Sequence, residues 1–153
     1  MAGTVLGFYG LGTLASIGGG WLGDRFPPRL VLSAAFLCAA ALGYLLFHGS
    51  GGFASQAMLS FFWGVVVSGV RYVNLAACHV KAVRSGLSGN ASGIFVTSLY
   101  TAAAAGGYLM GWIAGHAGWA RAGEIQISLL SLVAGGLALA LRPDPLSAPG
   151  APR

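Results

Sequence analysis

The sequence predicts an all-α integral membrane protein with about five transmembrane helices. Of the 153 residues, 56% are hydrophobic and only 7% are charged, and the mean hydropathy is +0.78. A soluble domain carries roughly 25% charged residues, so this chain has too few to cover a soluble fold of its size. Its 26 glycines are typical of membrane helices. The sequence lacks the alternating apolar and polar segments of a membrane β-barrel.

Each predicted span is an apolar run close to the roughly 20 residues that cross a bilayer. The first contains no charge, the third is interrupted by Arg71, and the fifth begins at Glu124. The five runs cover residues 3–22, 30–47, 54–77, 92–115 and 124–141. Residues 142–153 are rich in proline, which predicts a disordered tail.

The basic residues predict the orientation of these spans. Six of the eight Lys and Arg residues lie in the turn 23–29, the loop 78–91 and the tail, whereas the connection 116–123 carries only Arg121. Short loops rich in Lys and Arg stay in the cytoplasm, so we expect a cytoplasmic C-terminus in the cell (plasma or inner) membrane. Met1 is then outside. An outside N-terminus without a signal peptide, with an odd number of spans, is expected for a piece of a longer protein.

The densest group of charges lies in the turn between the first two spans. The turn reads Gly20-Trp21-Leu22-Gly23-Asp24-Arg25-Phe26-Pro27-Pro28-Arg29. It resembles the signature of the major facilitator superfamily, Gly-x-Leu-Ala-Asp-Arg-x-Gly-Arg-Lys/Arg. That signature lies between the second and third helices of the family and, in degenerate form, between the eighth and ninth. The matching residues are Gly20, Leu22, Asp24, Arg25 and Arg29. Gly23, Pro27 and Pro28 depart from the pattern, as is typical of the second copy.

The resemblance covers about residues 3–141 and implies a secondary transporter. Four spans and a tail follow the motif, as for the family's eighth to twelfth helices, and residues 84–93 look like its Gly/Ser-rich link between helices ten and eleven. The chain then corresponds to the C-terminal half of such a transporter without its first helix. In complete transporters of the family, two six-helix halves rock around a central site. The implied partners are a small solute, a proton or solute gradient, the lipid bilayer and the missing N-terminal half. We expect no transport by this piece alone.

The resemblance also implies a role for the turn, in which Asp24 and Arg25 latch the cytoplasmic side of the outward-facing state. A carboxylate at this place can meet the positive N-terminus of the fourth span, around residues 90–93. The residues themselves leave an alternative open. In that alternative the turn only sets the membrane topology, because its basic residues keep it in the cytoplasm and the two prolines end the helix.

Arg71 is the only charge inside a predicted span, which makes it a candidate for the substrate cavity. It either contacts an anion or substrate on the cavity wall, or anchors the helix by reaching headgroups or a partner carboxylate. Asn74, Thr97 and Tyr100 are further candidates for the cavity, although threonines in membrane helices more often bond along or across helices.

Small residues recur every four positions in two spans. In the fourth span they are Ala103, Gly107, Gly111 and Gly115, and in the third they are Ser60, Gly64 and Ser68. Such stripes let helix backbones approach closely, so the sequence predicts packing seams there. The alternative is a face along which helices slide during transport.

The sequence offers no sign of an enzyme. It shows no nucleophile–base pair, metal-ligand spacing or phosphate loop, and no deep Asp or Glu, so we expect no cofactor and no metal. The basic residues are scattered, which excludes a nucleic-acid partner. The rival functions are a non-transporting membrane scaffold or partner subunit, the remnant of a truncated transporter, and an integral membrane enzyme. An upstream reading frame with about seven further membrane helices favours the transporter.

Overall fold

The computed structural model describes residues 2–49, 51–81 and 87–140, and these residues form five helices and no strand. The helices are α1 (Ala2–Gly12, a 3-10 turn over Thr13–Ala15, and Ser16–Arg25), α2 (Pro28–His48), α3 (Phe53–Gly64, a π-helical segment over Val65–Tyr72, and Val73–Lys81), α4 (Ser88–Ala117) and α5 (Trp119–Gly123, a π-helical segment over Glu124–Leu129, and Leu130–Leu139). The predicted all-α fold is confirmed for these residues.

Within the described residues, four helices are long and apolar enough to cross a membrane, which fits a membrane protein. They are Pro28–His48, Phe53–Cys78, Gly89–Ala117 and Trp119–Leu139, which overlap the predicted second to fifth spans. The predicted first span, 3–22, is helical too. Gly12, Ala15 and Ser16 around the 3-10 turn Thr13–Ala15 keep right-handed helical backbone angles, so α1 is continuous through it, although α1 is not among these four helices. The predicted tail, residues 142–153, lies outside the described residues.

Prolines and one glycine set the helix ends. Phe26 is extended, because the residue before a proline avoids the α region, and Pro28 occupies the first turn of α2. Gly118, with a φ of +86°, separates α4 from α5 as a single residue. The connection that we expected over residues 116–123 is therefore helical on both sides of Gly118, and α5 begins five residues before the expected span. Likewise α3 continues through Lys81, into the expected loop 78–91.

The helices pack in the order α1, α3, α2, α5. The buried positions between them carry mostly small side chains, and Leu32 is the largest side chain with less than 2% exposure among those described. Between α2 and α5, the Ser33 hydroxyl donates a hydrogen bond of 3.0 Å to the Gly135 carbonyl oxygen. Small residues of this kind allow the close packing that drives helix association in lipid.

Helix α4 is the exception, because little of it is covered. Only 6% of its apolar window is buried, against 28–39% in the other three candidate spans. Its attachments include the ring of Phe95, 5.8 Å from that of Tyr72 in α3, and a hydrogen bond from Gln126 of α5 to the Gly106 carbonyl oxygen.

The small-residue stripe of α4 faces away from the rest of the described chain. Its four members are exposed: Ala103, Gly107, Gly111 and Gly115. No described atom lies within 4 Å of the place where a Cβ on any of the three glycines would stand. The described helices do not use this stripe as a seam between themselves, so its packing role stays a prediction about a partner.

Candidate functional site

Helices α1 and α3 approach each other backbone to backbone. A Cβ on Gly19 of α1 would overlap the carbonyl oxygen of Gly69 in α3, and a Cβ on Gly12 would stand 2.5 Å from the Phe61 carbonyl oxygen. Of the small residues predicted on α3, Gly64 and Ser68 contact Tyr9 of α1, whereas Gly69 and the glycines of α1 were not predicted. The missed signal is the spacing of Gly12, Gly19 and Gly23, seven and then four residues apart on one helix face.

A group of polar and aromatic side chains lies along this seam. The Tyr9 hydroxyl of α1 and the Ser68 hydroxyl of α3 share a hydrogen bond of 2.8 Å. The rings of Tyr9 and Trp63 lie 5.6 Å apart, and the indole N–H of Trp63 is buried with no acceptor. Ser68 belongs to the π-helical segment of α3, a conformation that is rare and often occurs at functional sites.

Arg71 lies in the same π-helical segment and is half-buried. Its guanidinium carbon stands 5.2 Å from the centre of the Phe36 ring on α2, and Tyr9 is close enough to interact with it electrostatically. Within the described chain Arg71 has no carboxylate partner, since the one ion pair found there joins Arg121 to Glu124. The structure therefore places Arg71 against an aromatic ring and leaves its charge unpaired.

Asn74, the second candidate for the cavity, joins α3 to α1. It is only 3% exposed, and its amide nitrogen donates to the carbonyl oxygens of Gly19 (2.9 Å) and Val70 (2.8 Å). A Cβ on Gly23 would overlap the Asn74 amide oxygen, so the glycine at this motif position makes room for the contact.

A cleft of about 100 Å³ opens where α1 ends. Its walls come from the ends of three helices: Gly20, Gly23, Asp24, Pro28, Val73, Asn74, Ala77 and Cys78. Asp24 is exposed and makes no hydrogen bond or ion pair within the described residues. Asp24 borders α3 in this arrangement, and its contact with the N-terminus of α4 stays a prediction.

The other residues of the predicted latch surround the same corner. Gly20 lines the cleft, and the Leu22 carbonyl oxygen accepts the Phe26 amide at the end of α1. The Arg25 guanidinium lies over the Trp21 ring, 4.8 Å from its centre, and Arg29 is half-buried in the first turn of α2. The structure thus brings the five motif residues together where α1, α2 and α3 meet.

The remaining cavity candidates lie elsewhere. Tyr100 on α4 is 70% exposed. Thr97, one turn earlier, is also exposed, and its carbonyl oxygen accepts the Thr101 hydroxyl over 2.9 Å within the same helix. The four predicted cavity residues therefore form two separate sets, and only Arg71 and Asn74 lie near the seam.

No family model, no curated protein and no solved structure matches this chain. Within residues 2–49, 51–81 and 87–140, no three His, Cys, Asp or Glu side chains are grouped as metal ligands would be.

Proposed function

We propose that this chain is the C-terminal part of a secondary transporter similar to the major facilitator superfamily, which moves a small solute across the cell membrane by alternating access. One observation carries the proposal. The charged turn 20–29, which matches the family signature at five positions, joins two apolar helices at the mouth of the cleft between α1 and α3. The four helices long enough to span a membrane support it.

Asp24 acts in this proposal as a latch that engages and releases in each cycle. Its carboxylate is exposed and has no partner within the described chain, so it is available to a helix N-terminus when the two halves close. Such a contact is worth about 0.3–1 kcal/mol when exposed and up to about 2 kcal/mol when partly buried. The upper value shifts a two-state equilibrium roughly 30-fold, which is enough to favour one state and small enough to be reversed.

Arg25 and Trp21 hold this corner at the membrane surface in the proposed topology. The guanidinium lies over the indole ring, and both side chains are exposed. Tryptophan favours the membrane–water interface, and basic residues favour its cytoplasmic side. The latch then faces the cytoplasm at a fixed depth.

The decisive experiment measures transport by the chain together with any coding sequence found upstream of it. The protein is reconstituted into proteoliposomes, and currents on a solid-supported membrane are recorded for a panel of amino acids, sugars and carboxylates. We expect a saturable flux of at least one solute, which Asp24→Asn slows while insertion and folding stay normal. Glu124→Gln, which removes a carboxylate far from the turn, should transport at the wild-type rate.

Two results would count against this proposal. Absence of flux for every solute, from protein shown to be inserted and folded, would remove the transport function. Wild-type rates for Asp24→Asn would remove the latch role and leave the turn as a topology signal.

A second candidate function, a non-transporting partner subunit, is favoured by the uncovered stripe of α4. Gly111→Leu adds a large side chain where no described atom lies near, so it would break association with a partner and leave the fold intact. Gly136→Leu on α5 is the matched control, since its surroundings are equally open. For a partner subunit, crosslinking in native membranes should capture a partner with wild type and Gly136→Leu but not with Gly111→Leu. The same protein should move no solute.

A further inference from the structure

We propose that Arg71, Trp63 and Tyr9 form a binding subsite for a small monocarboxylate with an apolar body. The physiological role of this subsite, substrate recognition, rests on the proposed transport function. The binding itself is measurable without it.

Two hydrogen-bond donors on α3 lack acceptors. The indole N–H of Trp63 is buried without a partner, and the Arg71 guanidinium has neither an ion pair nor a hydrogen bond within the described chain. Leaving such groups unsatisfied in an apolar segment is unfavourable, and more so for a charge. An anion bound between them would satisfy both.

Tyr9 links these two donors in space. Its ring lies 5.6 Å from the Trp63 ring, its hydroxyl bonds to Ser68, and Ser68 precedes Arg71 by three residues in the π-helical segment. All four side chains are half-buried, so the group is partly open. A ligand can therefore reach the exposed parts of these side chains, and it meets the buried indole N–H only when the packing around Trp63 adjusts.

The charge of the subsite selects a monovalent anion. Arg71 is the only basic residue within the five predicted spans. One guanidinium balances one negative charge, whereas a dianion would keep an unpaired charge in a region of low dielectric constant. The planar fork of arginine matches a carboxylate, which accepts two parallel hydrogen bonds.

The aromatic rings select the rest of the ligand. Phe36 of α2 lies under the guanidinium, and the rings of Tyr9 and Trp63 form a second aromatic surface where α1 meets α3. Ligand sites of this kind combine apolar surface with a few placed polar groups. A carboxylate carrying an aromatic or branched aliphatic body would contact the rings while its charge meets Arg71.

Binding of [¹⁴C]benzoate to the full chain in nanodiscs tests the proposal, with a scintillation proximity readout at constant ionic strength. We expect saturable binding that Arg71→Gln weakens at least about tenfold and Trp63→Phe, which keeps the ring, weakens about two- to tenfold. Arg71→Lys keeps the charge without the fork, so its affinity should lie between wild type and Arg71→Gln. Arg121→Gln removes an exposed arginine on α5 and should bind as wild type does.

Competition defines the ligand class. Unlabelled benzoate should displace the probe best, acetate less well because it lacks the apolar body, and phthalate less well because it carries two charges. Equal displacement by all three would overturn the assigned class.

The subsite is wrong if wild type shows no saturable binding, or if Arg71→Gln and Arg121→Gln bind alike. Should Arg71→Gln fail to fold, unchanged benzoate affinity in folded Trp63→Phe overturns the proposal instead. Benzoate binding without any solute flux would contradict the proposed transport function and support the subsite. Flux that is unchanged in Arg71→Gln would support the transport function and contradict a role of the subsite in substrate recognition.

Discussion

Replacing Gly19 by alanine tests the backbone contact between α1 and α3. The added methyl carbon would overlap the Gly69 carbonyl oxygen and stand 2.7 Å from the Gly69 carbonyl carbon and 3.0 Å from the Val70 Cα. All three atoms belong to the backbone of α3, so no side-chain rotation relieves the overlap. The two helices must separate locally.

Three terms set the size of the effect. Overpacking in a well-packed interior destabilises a protein by about 1–3 kcal/mol. Separation also stretches the 2.9 Å hydrogen bond from Asn74 to the Gly19 carbonyl oxygen, and a bond between membrane helices is worth about 0.6 kcal/mol, at most about 1.7. Alanine returns up to about 1 kcal/mol through its higher helix propensity. The net expectation is a loss of about 1–3 kcal/mol in the free energy of unfolding, or roughly 5- to 150-fold in the folding equilibrium.

The assay is reversible unfolding of the chain by SDS in mixed micelles, followed by tryptophan fluorescence. Trp21 and Trp63 lie on the two helices concerned and report their separation. Gly18→Ala is the matched control, because Gly18 is exposed and has nothing within 4 Å of its Cβ position. It should leave stability unchanged or raise it by up to about 1 kcal/mol. Equal free energies of unfolding for the two variants would refute the close approach.

Three further predictions concern bonds and charges along the helices. A double-mutant cycle of Tyr9→Phe and Ser68→Ala should give a coupling of about 0.6 kcal/mol, at most about 1.7, in the SDS assay, and no coupling would show that their 2.8 Å hydrogen bond adds no stability. Ser33→Ala should destabilise the chain by about 1 kcal/mol in the same assay, because a carbonyl of α5 loses a buried donor, and wild-type stability would contradict this. Glu124→Gln should change the free energy of unfolding by less than about 0.5 kcal/mol, since the pair with Arg121 is exposed, and a larger loss would mean that the pair is covered.

The helices themselves were predictable, because hydropathy and helix punctuation are local properties of the chain. An apolar segment satisfies its backbone by forming a helix, and prolines 27 and 28 fix where α1 ends and α2 begins. Helix α5 begins five residues before the predicted span, which was started at Glu124 because Arg121 was interpreted as a loop residue. In the structure they form an ion pair three residues apart on one helix face, a spacing that α-helices favour.

The candidate site was predictable only in part. The motif residues cluster because they are neighbours in sequence, so their proximity follows from the turn itself. The partner of Arg71 was not predictable, since Phe36 lies 35 positions away on another helix. Thr97 and Tyr100 are residue types that often line cavities. They lie on α4, however, whose uncovered position separates them from the contact between α1 and α3.

The consecutive glycines at positions 18, 19 and 20 show where the sequence stops determining the structure. By sequence they are equivalent, and all three favour close approach of a neighbouring helix. In the fold Gly18 faces open space, Gly19 meets the backbone of Gly69, and Gly20 only touches Val73. The sequence determined that α1 is a helix with small residues on its surface. The rotation and crossing angle of α1 against α3 decided which of these glycines is indispensable. Successive residues of a helix point about 100° apart, and the contact with Gly69, which is 50 residues away in the sequence, selects one of these directions.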